Sequence, residues 1–105
     1  MSFSINEVIL LPIPFTDLTS RRVRPAIVVG HSSYAGDLFV VPISSQLQNV
    51  DAALLDWRAA GLNVSCGIKS QMATIESGLV IKAIGTLSRR DSDCCRNRLR
   101  AWLGL

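Results

Sequence analysis

The sequence predicts a mainly β fold, a small curved barrel of short strands closed by one C-terminal α-helix. Three observations lead there. Apolar runs rich in Val, Ile and Leu recur through the first 87 residues, separated by Gly, Pro, Asn, Asp and Ser. From Ser88 onward the apolar spacing becomes helical. And 105 residues with 49% apolar and 18% charged content suit a single globular domain, 1–105, with a modest core.

Residues 8–13 and 26–29 read as the first two strands. The polar loop between them opens at Pro14 and closes on Arg21, Arg22 and Arg24. Pro25 pushes Arg24 out of the helical region into an extended conformation. A planar cation therefore stands at a strand mouth beside a basic loop, an arrangement suited to phosphate. Residues 30–37 form a turn, and 38–43 form a third strand in hairpin with the second. That strand runs out into Ser44, Ser45 and Gln46, where two serines by themselves read as a turn or cap. Residues 51–57 read as a strand or a helical turn, since Ala and Leu also favour helix. Residues 67–75 alternate loosely, and 79–87 make a last strand in which Gly85 marks a bulge.

Ser88 is a helix N-cap, with Asp91 three residues on as a capping-box partner. Cys95, Leu99, Trp102 and Leu103 form one apolar stripe. Arg89, Asp93, Arg96 and Arg100 fall opposite, with Arg89–Asp93 and Asp93–Arg96 spaced to pair. This second arginine cluster reads as a solvated helix face. Six strands and one capping helix suggest a barrel of SH3-like type.

Several function classes are disfavoured. The longest apolar run, 8–15, contains two prolines and falls well short of the roughly 20 residues that span a bilayer. No basic segment precedes it, so no signal peptide is expected and a cytoplasmic protein is. Cys66, Cys94 and Cys95 are odd in number, lack CxxC spacing and share the chain with one histidine, His31. They read as small buried apolar residues in a reducing compartment, and neither a metal site nor a cofactor is expected. Net charge is +3, and eight of the eleven basic residues fall in two clusters, 21–24 and 89–100, which suggests a polyanionic partner.

The stretch 8–18, containing Pro14-Phe15-Thr16-Asp17-Leu18, followed by Arg24-Pro25-Ala26 and the apolar run to Val29, resembles the PemK/MazF-like toxins, endoribonucleases of type II toxin–antitoxin systems. The resemblance runs from Glu7 to Leu103. It implies a MazF-like barrel with a strand at 51–57, and a homodimer whose groove takes single-stranded RNA or the acidic, apolar tail of a cognate antitoxin. It places Arg24 and Ser44 together as the catalytic pair, with Ser45 as the alternative one residue on. Phe15, Thr16, Arg21, Arg22, Ser45, Gln46, Lys69 and Gln71 are the implied RNA-binding residues. Relatives often carry a basic residue where this chain has Ala73, and Lys69 is the substitute nearest in sequence.

The residues support that chemistry. Metal-free RNA cleavage uses the ribose 2′-hydroxyl as nucleophile and produces a cyclic phosphate. Arg24 supplies bidentate stabilisation of the anionic transition state. Ser44 holds a phosphate oxygen or the attacking hydroxyl. Eight scattered acids give no two-metal site, and one histidine excludes a histidine pair. No residue is assigned as the general base, because arginine is a poor base at neutral pH. Two other classes share the fold: CcdB-like gyrase-poisoning toxins, suggested by Trp102 near the C-terminus, and inactive members that bind RNA or antitoxin, suggested by Ala73.

Overall fold

The computed structural model describes residues 2–12 and 22–105. Seven strands and one α-helix appear among them: β1 Glu7–Pro12, β2 Val23–His31, β3 Leu38–Ser44, β4 Ala52–Ala53, β5 Gly67–Ile68, β6 Ala73–Ile75, β7 Lys82–Thr86 and α1 Arg89–Leu103. The ladder order is β4-β5-β3-β2-β1-β7, with β6 also on β3, and every pairing is antiparallel. β2 is longer at both ends than the run 26–29 suggests.

Alternation along the long strands divides the core in two. Val8, Ile27, Val41 and Ile43 face one side, covered by Leu54, Ala60, Leu62 and Cys95. Ile9, Leu11, Ala26, Val28 and Val40 face the other, covered by Phe3, Ile75 and Val80. The sheet curls until the turn at Ala60–Gly61 meets Ile84–Gly85 backbone to backbone. A Cβ on Gly61, at φ +85°, would lie 2.0 Å from the Ile84 carbonyl oxygen, and one on Gly85 would lie 2.4 Å from that of Ala60. Glycine is required at both positions.

Three strand expectations need correction. The last strand, expected over 79–87, is only β7, because Ser77–Leu79 forms a 3-10 turn ahead of it. The strand expected over 67–75 is two strands, β5 and β6, both lying along β3. Residues 69–72 face only 41–42, because Pro42 has no N–H with which to continue the ladder. The 51–57 segment pairs only at Ala52–Ala53, and then turns. There the buried Asp91 carboxylate accepts from the backbone N–H of Leu55 (2.9 Å) and of Asp56 (2.7 Å). Those donors are taken from any ladder.

The same bonds change the reading of α1. Ser88 caps it, accepting from the Asp91 N–H at 3.3 Å, but the Asp91 side chain reaches the 55–56 turn instead of completing a capping box. Cys95, Leu99 and Trp102 pack on the first core, whereas Leu103 is 54% exposed, one step of about 100° past Trp102. The pairs Arg89–Asp93 and Asp93–Arg96 do not form. Instead Arg90 binds Asp56 at 2.7 Å and Arg98 approaches Asp51 at 3.7 Å. Short, exposed aspartates gain little by holding arginines along their own helix. All three cysteines are free thiols, with Cys66 and Cys95 buried. Burial pushes both thiols up, Cys95 to about 11.

Candidate nucleic-acid interface

A cavity of about 820 Å³ opens where β2 and β3 part. Their ladder ends at Ala26 opposite Pro42, although β2 continues to Val23 and β3 to Ser44. Beyond that point β2 stays with β1 through Val23, and β3 stays with β5 through Ser44. The local sequence explains the parting. The Val28 carbonyl points toward β1, where it accepts from Asn6 N–H at 2.8 Å. By alternation the backbone of Pro25 points toward β3, and Pro25 has no N–H to offer. With no ladder there, residues of both sheet faces line the one opening.

One side of the fork supplies Arg22, Val23, Arg24 and Pro25, and the other supplies Ile43, Ser44, Ser45 and Gln46. Lys69 closes the end beyond β5, while Leu10, Lys82 and Ile84 extend the lining across β1 and β7. Gly61, Leu62, Asn63 and Val64 form the remaining wall, seated by the glycine contact on β7. Among the described residues the lining holds four cations, Arg22, Arg24, Lys69 and Lys82, and no carboxylate. Such a site is electrostatically suited to a polyanion.

Arg22, Arg24, Ser44, Ser45, Gln46 and Lys69 thus share one cavity, as the sequence reading grouped them. Arg24 is exposed and Ser44 half-buried. The Ser44 hydroxyl accepts from Gln46 N–H at 3.0 Å, so it also shapes the turn after β3. Its own O–H remains available to donate. Gln46 accepts in turn from the Asn49 amide at 3.0 Å.

Gln71 lies outside the lining. Its N–H bonds the Lys69 carbonyl in a tight turn at 2.8 Å, and its side-chain oxygen is buried without a partner. Phe15, Thr16 and Arg21 lie outside the described residues. Ala73 pairs with Val40 and packs against the second core, so a basic residue missing at that position leaves no gap in the lining. Trp102 is packed on the first core and donates its indole N–H to Asp51 at 3.0 Å. It is not a free anchor for a protein partner.

Sequence reasoning missed Lys82 and the Asn63–Val64 wall. Lys82 had a signal, being the one charge in the apolar run 79–87. Asn63 had none beyond turn propensity, because the Asp91 bonds and the glycine contact bring it to the site.

The sequence matches, over residues 6–103, the family described as PemK-like, MazF-like toxin of type II toxin-antitoxin system. No curated protein matches it by sequence. Among solved structures it is similar to an endoribonuclease in complex with its cognate antitoxin from Mycobacterial species, with a TM-score of 0.72. That likeness covers 99% of this chain and 95% of the other at 12% identity, and is one of fold.

Proposed function

From a chain that belongs to the PemK-like, MazF-like toxins of type II toxin–antitoxin systems, we propose a sequence-selective, metal-independent endoribonuclease that cleaves single-stranded RNA through a cyclic phosphate. One observation carries the reading: Arg24 and Ser44 line the same cavity with three further cations and, among the described residues, no carboxylate. The whole chain, 1–105, acts as one unit in this reading, working as a cytoplasmic homodimer whose groove also takes an acidic antitoxin tail.

In this mechanism the Arg24 guanidinium binds two nonbridging oxygens of the scissile phosphate. It stabilises the charge that builds as the 2′-oxygen, its proton passing to water, attacks phosphorus. The P–O5′ bond breaks, leaving a cyclic phosphate and a 5′-oxygen that takes a proton to become a hydroxyl. Ser44 Oγ is oriented by Gln46 N–H and donates its proton in a hydrogen bond to the same phosphate or to the attacking oxygen. The Lys69 and Lys82 ammonium groups neutralise the strand and favour its entry.

The test compares single-turnover cleavage of single-stranded RNA, with chelator present, against melting temperature for Arg24→Ala. Loss of one preorganised donor removes roughly 3–4 kcal/mol, a hundred- to thousand-fold in rate. Arg24→Lys falls nearly as far, because a point charge cannot replace the planar fork. Melting stays at the wild-type value, since Arg24 is exposed. Wild-type cleavage by Arg24→Ala would end the assignment.

A further inference from the structure

We propose that Lys82 forms a second phosphate subsite, holding the phosphodiester next to the one at Arg24. The proposal rests on the RNA-cleaving reading above and assigns a residue that reading leaves general.

Lys82 begins β7, the edge strand of the sheet, opposite Leu10, and Leu10 lies opposite Pro25. Ile81 N–H bonds the Leu10 carbonyl at 2.8 Å, which fixes the start of β7 against β1. Lys82, Leu10 and Pro25 therefore stand abreast, and cross-strand neighbours share a face. Two strand spacings of about 4.8 Å put the backbone of Lys82 about 10 Å from that of Pro25. Arg24 adjoins Pro25, and by alternation its side chain leaves the opposite face of the sheet, the face of Ala26 and Leu11. Lys82 and Arg24 therefore reach the opening from different faces, and each meets a different phosphate of one strand.

The surroundings agree. Leu10 and Ile84 flank Lys82 with apolar surface, and no carboxylate among the described residues pairs with it. A compact ammonium on a long stem suits a phosphate that needs holding but not chemistry, whereas the planar fork of Arg24 suits the one that reacts. At about 820 Å³ the cavity has room for more than one nucleotide.

The experiment measures binding of the full chain to an uncleavable 2′-O-methyl RNA by fluorescence anisotropy across a salt series. It then repeats the measurement with single methylphosphonates placed along the strand. Lys82→Gln should flatten the slope of log affinity against log salt by about 0.7, the value for one phosphate contact on a single strand. At one position beside the scissile phosphate, neutralisation should weaken the wild type about fivefold and leave Lys82→Gln unchanged. Lys82→Arg should restore both effects. An unchanged salt slope, or a loss in Lys82→Gln that adds to every methylphosphonate alike, would overturn the subsite while leaving the Arg24 reading intact. A wild-type protein that binds this RNA without salt dependence would instead overturn the RNA reading itself, and the subsite with it.

Discussion

Arg24 and Ser44 face one another across the open end of the β2–β3 ladder, each two residues past its last pair, Ala26 with Pro42. Alternation keeps Arg24 on the face of Ala26 and Ser44 on the face of Pro42, so the guanidinium and hydroxyl project on the same side of the fork. A cation and a hydroxyl held there by two strands, with no ladder between them, can share one phosphate.

Ser44→Ala should reduce cleavage by about 1–3 kcal/mol, the range for a hydrogen bond to a charged group. It also removes the acceptor for Gln46 N–H, so Ser44→Thr, which keeps both functions, should retain most of the rate. Combining Ser44→Ala with Arg24→Ala tests whether the two act on one phosphate. Single-turnover rates that are strictly additive in free energy would argue that they do not.

Pro25 holds the fork open. Pro25→Val restores an N–H aimed at β3 and should let the ladder run one bond further, worth about 0.5–1.5 kcal/mol. Stability should stay level or rise. Cleavage should fall about a hundredfold as Arg24 and Ser44 are displaced. Hydrogen exchange at the new amide reads the ladder directly, and a fast-exchanging amide with wild-type cleavage would refute the role given to Pro25.

Asp91 ties α1 to the turn at 55–56, and that turn leads into the Gly61–Val64 wall. Asp91→Ala strands two backbone donors that now bond a carboxylate, which should cost about 3 kcal/mol. The melting temperature should drop by more than about 10 °C for a chain of this size. Thermal melts of Asp91→Ala and Asp91→Asn check this, with the amide variant falling between, because it keeps one acceptor.

Acid should loosen the same corner. The Arg90 guanidinium and the Ser88 hydroxyl lower the Asp56 pKa from 3.8 to about 2. The folded value lies below the unfolded one, so protonation favours the unfolded chain. The contribution is complete above about pH 3.8 and is lost as pH falls toward about 2. Melting curves for wild type and Asp56→Asn should differ at pH 5 and converge near pH 2. A constant gap across that range would show that the charge on Asp56 is not what matters.

The sequence by itself determined the long strands, the terminal helix and the Arg24–Pro25 step. These rest on local chemistry: β-branched runs, helical spacing behind a Ser88 cap, and a proline that both extends Arg24 and withholds an N–H. It also grouped Arg22, Arg24, Ser44 and Lys69 through the motifs of a known family. Tertiary structure decided what depends on distant partners. Asp91 reads locally as a capping residue, yet its carboxylate serves backbone donors 35 and 36 residues away and turns the 51–57 segment from strand to loop. Pro42 divides one expected strand into β5 and β6 because both must lie along β3. Lys82 and Asn63 reach the cavity only because β7 pairs with β1 and because Gly61 and Gly85 let two backbones touch. A ladder partner, a buried acceptor and a close backbone contact each lie across the fold, and no stretch of neighbouring residues carries the signal for them.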